Sequence, residues 1–424
     1  MILELKIKNF LSFKNEVSFS FEATLDKTLE DYYVAVQNDG TRILKMAMVY
    51  GANASGKSNL IEAFEFLNDF TKHIPEEKEG GTPFVPFLFG TKAKEPGLLE
   101  LVFYVNGRKH KYQLLIDENT VLEEKLSVYP GTQPAAIFNR YYDAKKKISV
   151  LEFGSKIKIS SQGVEAIQLK TLKNASVFAA YKQVNVAIPE LDEVVQWFDK
   201  QYLNAINPYT DLTNFSDNAI KANEDVKKHA LRFLKEADFN ITDVLFEDKV
   251  RKVPEEMLKF IETAPITEEE RATILKEKVL HFEETVFTHR VVSEGNEKFH
   301  NLPENRQSQG TLRYYGLSAP FFHAIENNAF LPIDEIGSAL HPLLVVHFLK
   351  EFLQKSNQAQ LIFTTHNMSI LNERDMLRKD AIWFTEKGED GATDLFSMAD
   401  FNFRKELSFY NAYKIGKFGA IPEL

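Results

Sequence analysis

The 424-residue chain contains no cysteine. That excludes a disulfide framework and any thiolate chemistry, and it fits a reducing cytoplasm, the expected location. No run of about 18 apolar residues occurs, so no membrane span or membrane partner is expected. The opening residues, MILELKIKNF, alternate apolar and charged side chains, the pattern of a strand and not of a signal peptide. Positive charge is not in excess: the formal net charge is −10 and the isoelectric point is near 5.6. An acidic total argues against a protein that coats nucleic acid through bulk charge, while leaving room for a local basic groove. There is no internal repeat and no low-complexity tract. The rest is ordinary globular composition, 44% hydrophobic and 26% charged. A length of ~150 residues per domain gives two or three domains. The 35 phenylalanines point to large aromatic cores.

Residues 46–66, MAMVYGANASGKSNLIEAFEF, organise the remainder. Gly51, Gly56, Lys57 and Ser58 form the pattern G-x-x-x-x-G-K-S, a Walker A phosphate loop. An apolar run precedes it and reads as a buried strand; Leu60, Ile61, Ala63, Phe64 and Leu67 follow at helical spacing. Strand, glycine-rich loop and helix are the context this motif requires. The glycines let the backbone approach a polyphosphate, and the helix starting near Lys57 aims its free N–H groups at it. Asn53, Ala54, Ser55, Gly56, Lys57, Ser58 and Asn59 are therefore the candidate ATP-binding positions. Lys57 is expected at the β- and γ-phosphates and Ser58 on Mg²⁺. The alternative is a chance match in a loop.

Around this stretch, residues 1–50 read as β, with strands at 2–7 and 17–21, a polar loop over 23–42, and a third strand over 43–50. The Asn106-Gly107 pair between two apolar runs signals a hairpin. Lys145-Lys146-Lys147 reads as a solvated hairpin tip, with nucleic-acid contact as the alternative. From about 165 the chain turns helical, with amphipathic patterns over 190–203, 218–238 and 254–278. Residues 279–292 return to β alternation, and 293–307 read as loop. The expected division is an N-terminal lobe at 1–164, a helical insert at 165–278, and a C-terminal lobe at 279–424.

The C-terminal third holds the second half of the chemistry. Phe330 to Ile333 is an apolar strand ending in Asp334-Glu335, the form of a Walker B element. Asp334 would join the Mg²⁺ shell, and Glu335 would polarise an attacking water. Alone, such a run is common, and a surface loop after a buried strand is the other reading. Three neighbours add weight. Ser308-Gln309-Gly310-Thr311 opens a helix whose amides and Ser308 hydroxyl suit a γ-phosphate; a plain serine cap is the alternative. Ser338-Ala339-Leu340-His341-Pro342 follows the Walker B element, and a turn with Pro342 at the first helical position accounts for it equally. His366 ends the strand Gln360 to Thr364 and could touch the γ-phosphate and sense hydrolysis; most isolated histidines are structural. The order of the five motifs is more specific than any one of them.

In that order the chain resembles ABC-type ATPases of the SMC, RecF and OLD branch, and Asn9-Phe10-Leu11-Ser12-Phe13 resembles the opening turn of that branch. It is similar, more closely, to the AAA15-type stand-alone bacterial ATPases, the RloA and AriA-like phage-defence group, through Ser308 to Thr311, 333–342, 360–367 and 416–422. The resemblance covers roughly 1–160 and 280–424. It departs at the signature, where Gln307-Ser308-Gln309-Gly310-Thr311 stands for L-S-G-G-Q, and at Leu11, where relatives carry Arg. The family's glutamine loop is not identifiable, although 82–90 falls near its expected place. Only 58 residues follow His366, so no Toprim nuclease domain is expected. The resemblance implies an α/β ABC-type ATPase head with an inserted helical lobe, binding ATP and Mg²⁺. It implies a homodimer or higher oligomer formed through ATP, with Ser308 and Gly310 of one copy facing the phosphate loop of the other. It also implies ATP hydrolysis by a sensor or regulatory subunit of a phage-defence pair, with Glu335 and His366 as the catalytic residues and a companion nuclease or toxin as effector. A RecF-like DNA-repair ATPase, which would bind DNA, and an ATP-dependent scaffold with little turnover are the alternatives.

Overall fold

The computed structural model describes residues 1–237, 239–402 and 408–421. The chain forms two compact units, Met1–Thr210 together with His323–Leu424, and Asp211–Phe322.

The strands of the first unit are β1 (Ile2–Lys8), β2 (Val17–Ser20), β3 (Val34–Val36), β4 (Arg42–Leu44), β5 (Met46–Gly51), β6 (Gly97–Val105), β7 (Arg108–Ile116), β8 (Val121–Tyr129), β9 (Ala135–Asp143) and β10 (Ile148–Phe153). After the second unit come β14 (Phe330–Ile333), β15 (Gln360–Thr364), β16 (Ile382–Lys387) and β17 (Thr393–Ser397). One sheet is antiparallel with order β10-β9-β8-β7-β6-β1-β2; the other has order β14-β15-β5-β16-β17. In the second, β14, β15, β5 and β16 are mutually parallel and β17 runs against β16. Every residue of β5, β14 and β15 is buried. That is why their sequences run apolar without alternation, as parallel strands covered on both faces do. Residues 201–206 extend this sheet past β14. Leu203 and Ile206 donate N–H bonds to Phe330 O and Pro332 O (3.0 and 2.9 Å), and Asp334 N returns one to Ile206 O (2.7 Å).

The helices of this unit are α1 (Glu30–Tyr33), α2 (Lys57–Phe70), α3 (Ser161–Lys170), α4 (Val177–Tyr181) and α5 (Pro189–Lys200), then α11 (Pro342–Lys355) and α12 (Phe409–Lys414). Phe64 of α2 packs on Phe330 and Phe19, with ring centroids 5.0 and 5.9 Å apart. The second unit holds a three-stranded antiparallel sheet, β11 (Ile241–Lys252), β12 (Val279–Ser293) and β13 (Asn296–Pro303). Its helices are α6 (Leu212–Ala222), α7 (Glu224–Glu236), α8 (Glu255–Ile261), α9 (Glu268–Glu277) and the start of α10 (Gln309–Glu326). Inside it Phe233 stacks on Tyr314 at 4.3 Å, and Phe287 meets Tyr315 edge-on at 5.0 Å.

The α/β class holds, but the structure divides the chain elsewhere than at 164 and 278. Residues 165–210 belong to the first unit because their aromatic side chains cover the antiparallel sheet. Trp197 stacks on Phe103 at 4.4 Å, and Phe178 meets Tyr112 at 5.2 Å. Fully buried Glu124 of β8 caps this contact by accepting Val177 N–H (3.0 Å) and Tyr112 OH (2.9 Å). Nor is the insert all helix, since β11 crosses it, and β12 and β13 belong with β11 and not with a C-terminal lobe. Residues 293–307, expected as loop, contain β13. That strand is exposed along nearly its whole length, so no period-two pattern marks it. The helix expected over 254–278 is two, separated around Pro265. The one over 218–238 is α6 and α7, with Asp238 outside the described residues. The loop over 23–42 contains α1 and β3, and the single strand at 43–50 is β4 and β5. Pro422 of the C-terminal phrase also lies outside the described residues.

Candidate nucleotide site

Because β5, β14 and β15 are parallel, their C-terminal ends share one edge of the sheet, where open α/β sheets bind ligands. β5 ends at Gly51 and releases the phosphate loop. Within it Ala54 and Gly56 take positive φ (61° and 107°), and α2 starts at Lys57. A Cβ on Gly56 would come within 2.3 Å of Thr393 Oγ1, so both backbone sign and space demand glycine. Asn53 and Ala54 are exposed at the loop crest, and Ser55 and Gly56 are buried.

A relay of hydroxyls anchors this loop. Asn59 Nδ2 donates to Ser12 Oγ (2.7 Å); Thr393 Oγ1 lies 2.7 Å from Ser12 Oγ and 2.8 Å from Ser55 O. Ser55 Oγ lies 2.6 Å from Thr385 Oγ1. Ser12, Thr385 and Thr393 escaped the sequence reading. Ser12 sat in a turn already singled out, but nothing local distinguishes the threonines, which arrive from β16 and β17.

The Lys57 ammonium curls back over the loop, donating to Gly51 O (3.1 Å) and Ala52 O (3.0 Å). Burial lowers its pKa, and nearby Glu335 and Asp334 push the other way. Ser58 Oγ donates to Asp334 Oδ2 (2.8 Å), so the two residues expected on a cation already adjoin. Thr364 Oγ1 donates to Asp334 Oδ1 (2.5 Å) and accepts the Glu335 N–H (2.8 Å). Glu335 has a left-handed backbone, φ 49°, and its Oε1 lies 2.8 Å from His366 Nε2. Burial raises the Glu335 carboxyl, with Lys57 opposing and Asp334 reinforcing. Burial lowers the His366 imidazole; Lys57 lowers it further and Asp334 opposes. A neutral imidazole donating from Nε2 to the carboxylate satisfies both partners. Beside them lies a cleft of about 500 Å³ lined by Pro208, Glu335, Gly337, Ser338, Thr365 and His366, among others.

The structure thus brings Ser55, Gly56, Lys57, Ser58, Asn59, Asp334, Glu335 and His366 to one edge. Ser308 and Gly310 lie in the second unit, at the start of α10. There the Ser308 hydroxyl caps the helix, accepting Thr311 N–H at 3.0 Å. At 338–342 the turn reading is realised, with Pro342 opening α11 and His341 Nδ1 accepting Leu343 N–H (3.3 Å). Among the described residues no group of three His, Asp or Glu could hold a metal. A hydroxyl and a carboxylate nevertheless fit Mg²⁺ in a nucleotide site, where phosphates and waters supply the other oxygens.

A family described as "AAA domain, putative AbiEii toxin, Type IV TA system" matches residues 46–372. The chain belongs to this AAA family. The matched stretch opens at the first residue of β5 and takes in the phosphate loop, Asp334-Glu335 and His366. The expected nucleotide-binding class therefore stands at the level of this AAA domain. No curated protein matches the chain. Among solved structures, an SMC head domain from Thermotoga maritima is similar at 15% identity and a TM-score of 0.41, over 93% of this chain and 98% of that one. An SMC head bound to the C-winged helix domain of ScpA gives 13% and 0.42, over 97% and 99%. An SMC head with an extended coiled coil, bound to the C-terminal domain of ScpA derived from Pyrococcus furiosus, gives 11% and 0.38, over 98% of each chain. Among the described residues no helix is long and apolar enough to cross a membrane.

Proposed function

We propose that this AAA-family chain hydrolyses ATP to ADP and phosphate with Mg²⁺, using Lys57, Ser58, Asp334, Glu335 and His366. The observation that supports this most is the joining of Ser58 and Asp334 at 2.8 Å beneath a loop whose lysine is held over its own carbonyls. The Lys57 ammonium can exchange those carbonyls for phosphate oxygens, a charge-assisted bond of greater strength. The amides at the start of α2 add donors to the same anion. Ser58 and Asp334 would hold Mg²⁺, which neutralises phosphate charge when bound. Glu335 orients water and takes its proton, while His366 holds the Glu335 side chain and carries a donor towards the same edge.

The fine reading is a regulatory ATPase of the AAA15 type. It is a homodimer around ATP whose state governs a companion effector, a nuclease or toxin, in bacterial phage defence within the cytoplasm. Motif resemblance supports this, and so does the toxin–antitoxin wording of the matched family. The test is paired. Phosphate release is measured on the purified chain, and plaque formation is scored in cells carrying the chain with its neighbouring gene, wild type or Glu335→Gln. Absence of phosphate release would end the ATPase reading; unchanged plaque numbers would end the defence reading alone.

A further inference from the structure

Thr364 closes β15 and is fully buried. It is in register with Val49 of β5, while its neighbour Phe363 pairs with Ile333 of β14. This register sets the Thr364 hydroxyl beside the first residues past β14, which are Asp334 and Glu335. A hydroxyl has one proton to give and lone pairs to receive. Thr364 uses both kinds of valence on the two acidic residues. It gives its proton to Asp334 Oδ1 at 2.5 Å and receives the Glu335 backbone N–H at 2.8 Å.

The two bonds hold Asp334 and Glu335 at atoms other than those met by Ser58 and His366. The other Asp334 oxygen, Oδ2, is held by Ser58. Under the proposed function Ser58 turns to a cation, and the Thr364 bond then remains to fix the plane of the carboxylate. Glu335 stands at φ 49°, a backbone region uncommon for a residue with a side chain. Its N–H is tethered there by Thr364, and its carboxylate is met by His366, two residues further along the same strand end. The end of β15 therefore grips Glu335 at its backbone and at its side chain.

We propose that Thr364 is a positioning residue for both acidic groups, orienting Asp334 towards the cation site and Glu335 towards the water. This rests on the ATPase reading. The step would act through Asp334 and Glu335, with no contact between Thr364 and substrate.

The test compares wild type with Thr364→Val, which keeps shape and strand preference but removes the hydroxyl, and Thr364→Ser, which restores it. Partners one step removed from a metal cost ~10–100-fold in metal affinity or activity when lost. Thr364→Val should lower turnover by about that factor, and raise by about the same factor the Mg²⁺ concentration that half-saturates tightening of a fluorescent ATP analogue. Binding of the analogue without Mg²⁺ should stay within about 2-fold of wild type, since the phosphate loop is untouched. Thr364→Ser should recover most of both losses. Thr364→Ala serves if the valine chain does not fold, judged by its melting curve. Wild-type turnover and Mg²⁺ dependence in Thr364→Val would overturn the proposal. So would equal damage in Thr364→Ser, which keeps the hydroxyl and would assign the effect to disturbed packing at this buried position. If wild type itself releases no phosphate, the ATPase reading falls, and the Mg²⁺-dependent binding shift still decides whether Thr364 orients Asp334.

Discussion

Glu335 sits between a lysine and a histidine, and its neighbours decide what it can do. Lys57 favours its charged form, while burial and Asp334 favour the neutral one. A group poised in this way is suited to exchanging a proton. Glu335→Gln keeps the shape and the contact to His366 but cannot accept a proton. It should retain ATP binding and lose ~10²-fold or more in turnover, measured as phosphate release beside nucleotide affinity. Lys57→Ala should instead weaken ATP binding itself, read by titrating the same fluorescent analogue. Asp334 and Glu335 were legible because they adjoin each other at the end of an apolar strand. Lys57 and Ser58 were legible because a phosphate loop must be contiguous. Thr364, Ser12 and Thr393 were not, since strand register brings them in from 30 to more than 300 positions away, and one sequence does not state register.

At the level of elements, α2 does more than open the phosphate loop. It is fastened to the extended residues 201–206 on the outer edge of the parallel sheet. Tyr202 OH donates to Phe64 O (2.9 Å), Asn68 Nδ2 to Asn204 Oδ1 (2.9 Å), and Ala205 N–H to the Glu65 carboxylate. Burial raises the Glu65 pKa to about 7 from an ordinary 4.5. A carboxyl raised on folding binds its proton more tightly in the native state. Its contribution is fully present below about pH 4.5 and is lost as pH rises through about 7. Glu65→Gln stays neutral throughout. The wild-type melting temperature minus that of Glu65→Gln should therefore fall as pH rises across this window, measured by thermal unfolding in matched buffers. A flat difference would show that Glu65 does not titrate there. This edge went unseen because Gln201 to Ile206 offers only two buried apolar residues, Tyr202 and Ile206, too few to mark a strand. The hairpin between β6 and β7 was legible for the opposite reason. Asn106 and Gly107 both take positive φ (50° and 71°), which the tight two-residue turn requires and these two residue types tolerate best.

For the whole molecule, the motifs divide between the two units. Lys57, Asp334, Glu335 and His366 belong to the first, and Ser308 and Gly310 to the second. In the proposed ATP-bound dimer, the start of α10 in one copy completes the phosphate loop of the other. The Ser308 hydroxyl accepts the Thr311 N–H and lies 2.8 Å from Thr311 Oγ1; with Thr311 donating in both bonds, the Ser308 proton stays available on an exposed side chain, so capping and phosphate contact are compatible. Ser308→Arg should therefore leave ATP binding by single copies nearly intact, while stopping ATP-driven dimerisation and turnover, read by light scattering and phosphate release. Losing the cap alone would cost only ~1 kcal/mol of stability, visible as a small drop in melting temperature with turnover unchanged. Mixing separates these cases. A dimer of one Ser308→Arg and one Lys57→Ala copy has one site with both lesions and one with neither, so partial turnover should return although each variant alone is inactive. Mixed dimers that form and stay inactive would count against a shared site, unless both sites must fire together. Normal hydrolysis by Ser308→Arg alone would reduce Ser308 to a helix cap, and would return the complete catalytic apparatus to the edge where β5, β14 and β15 end.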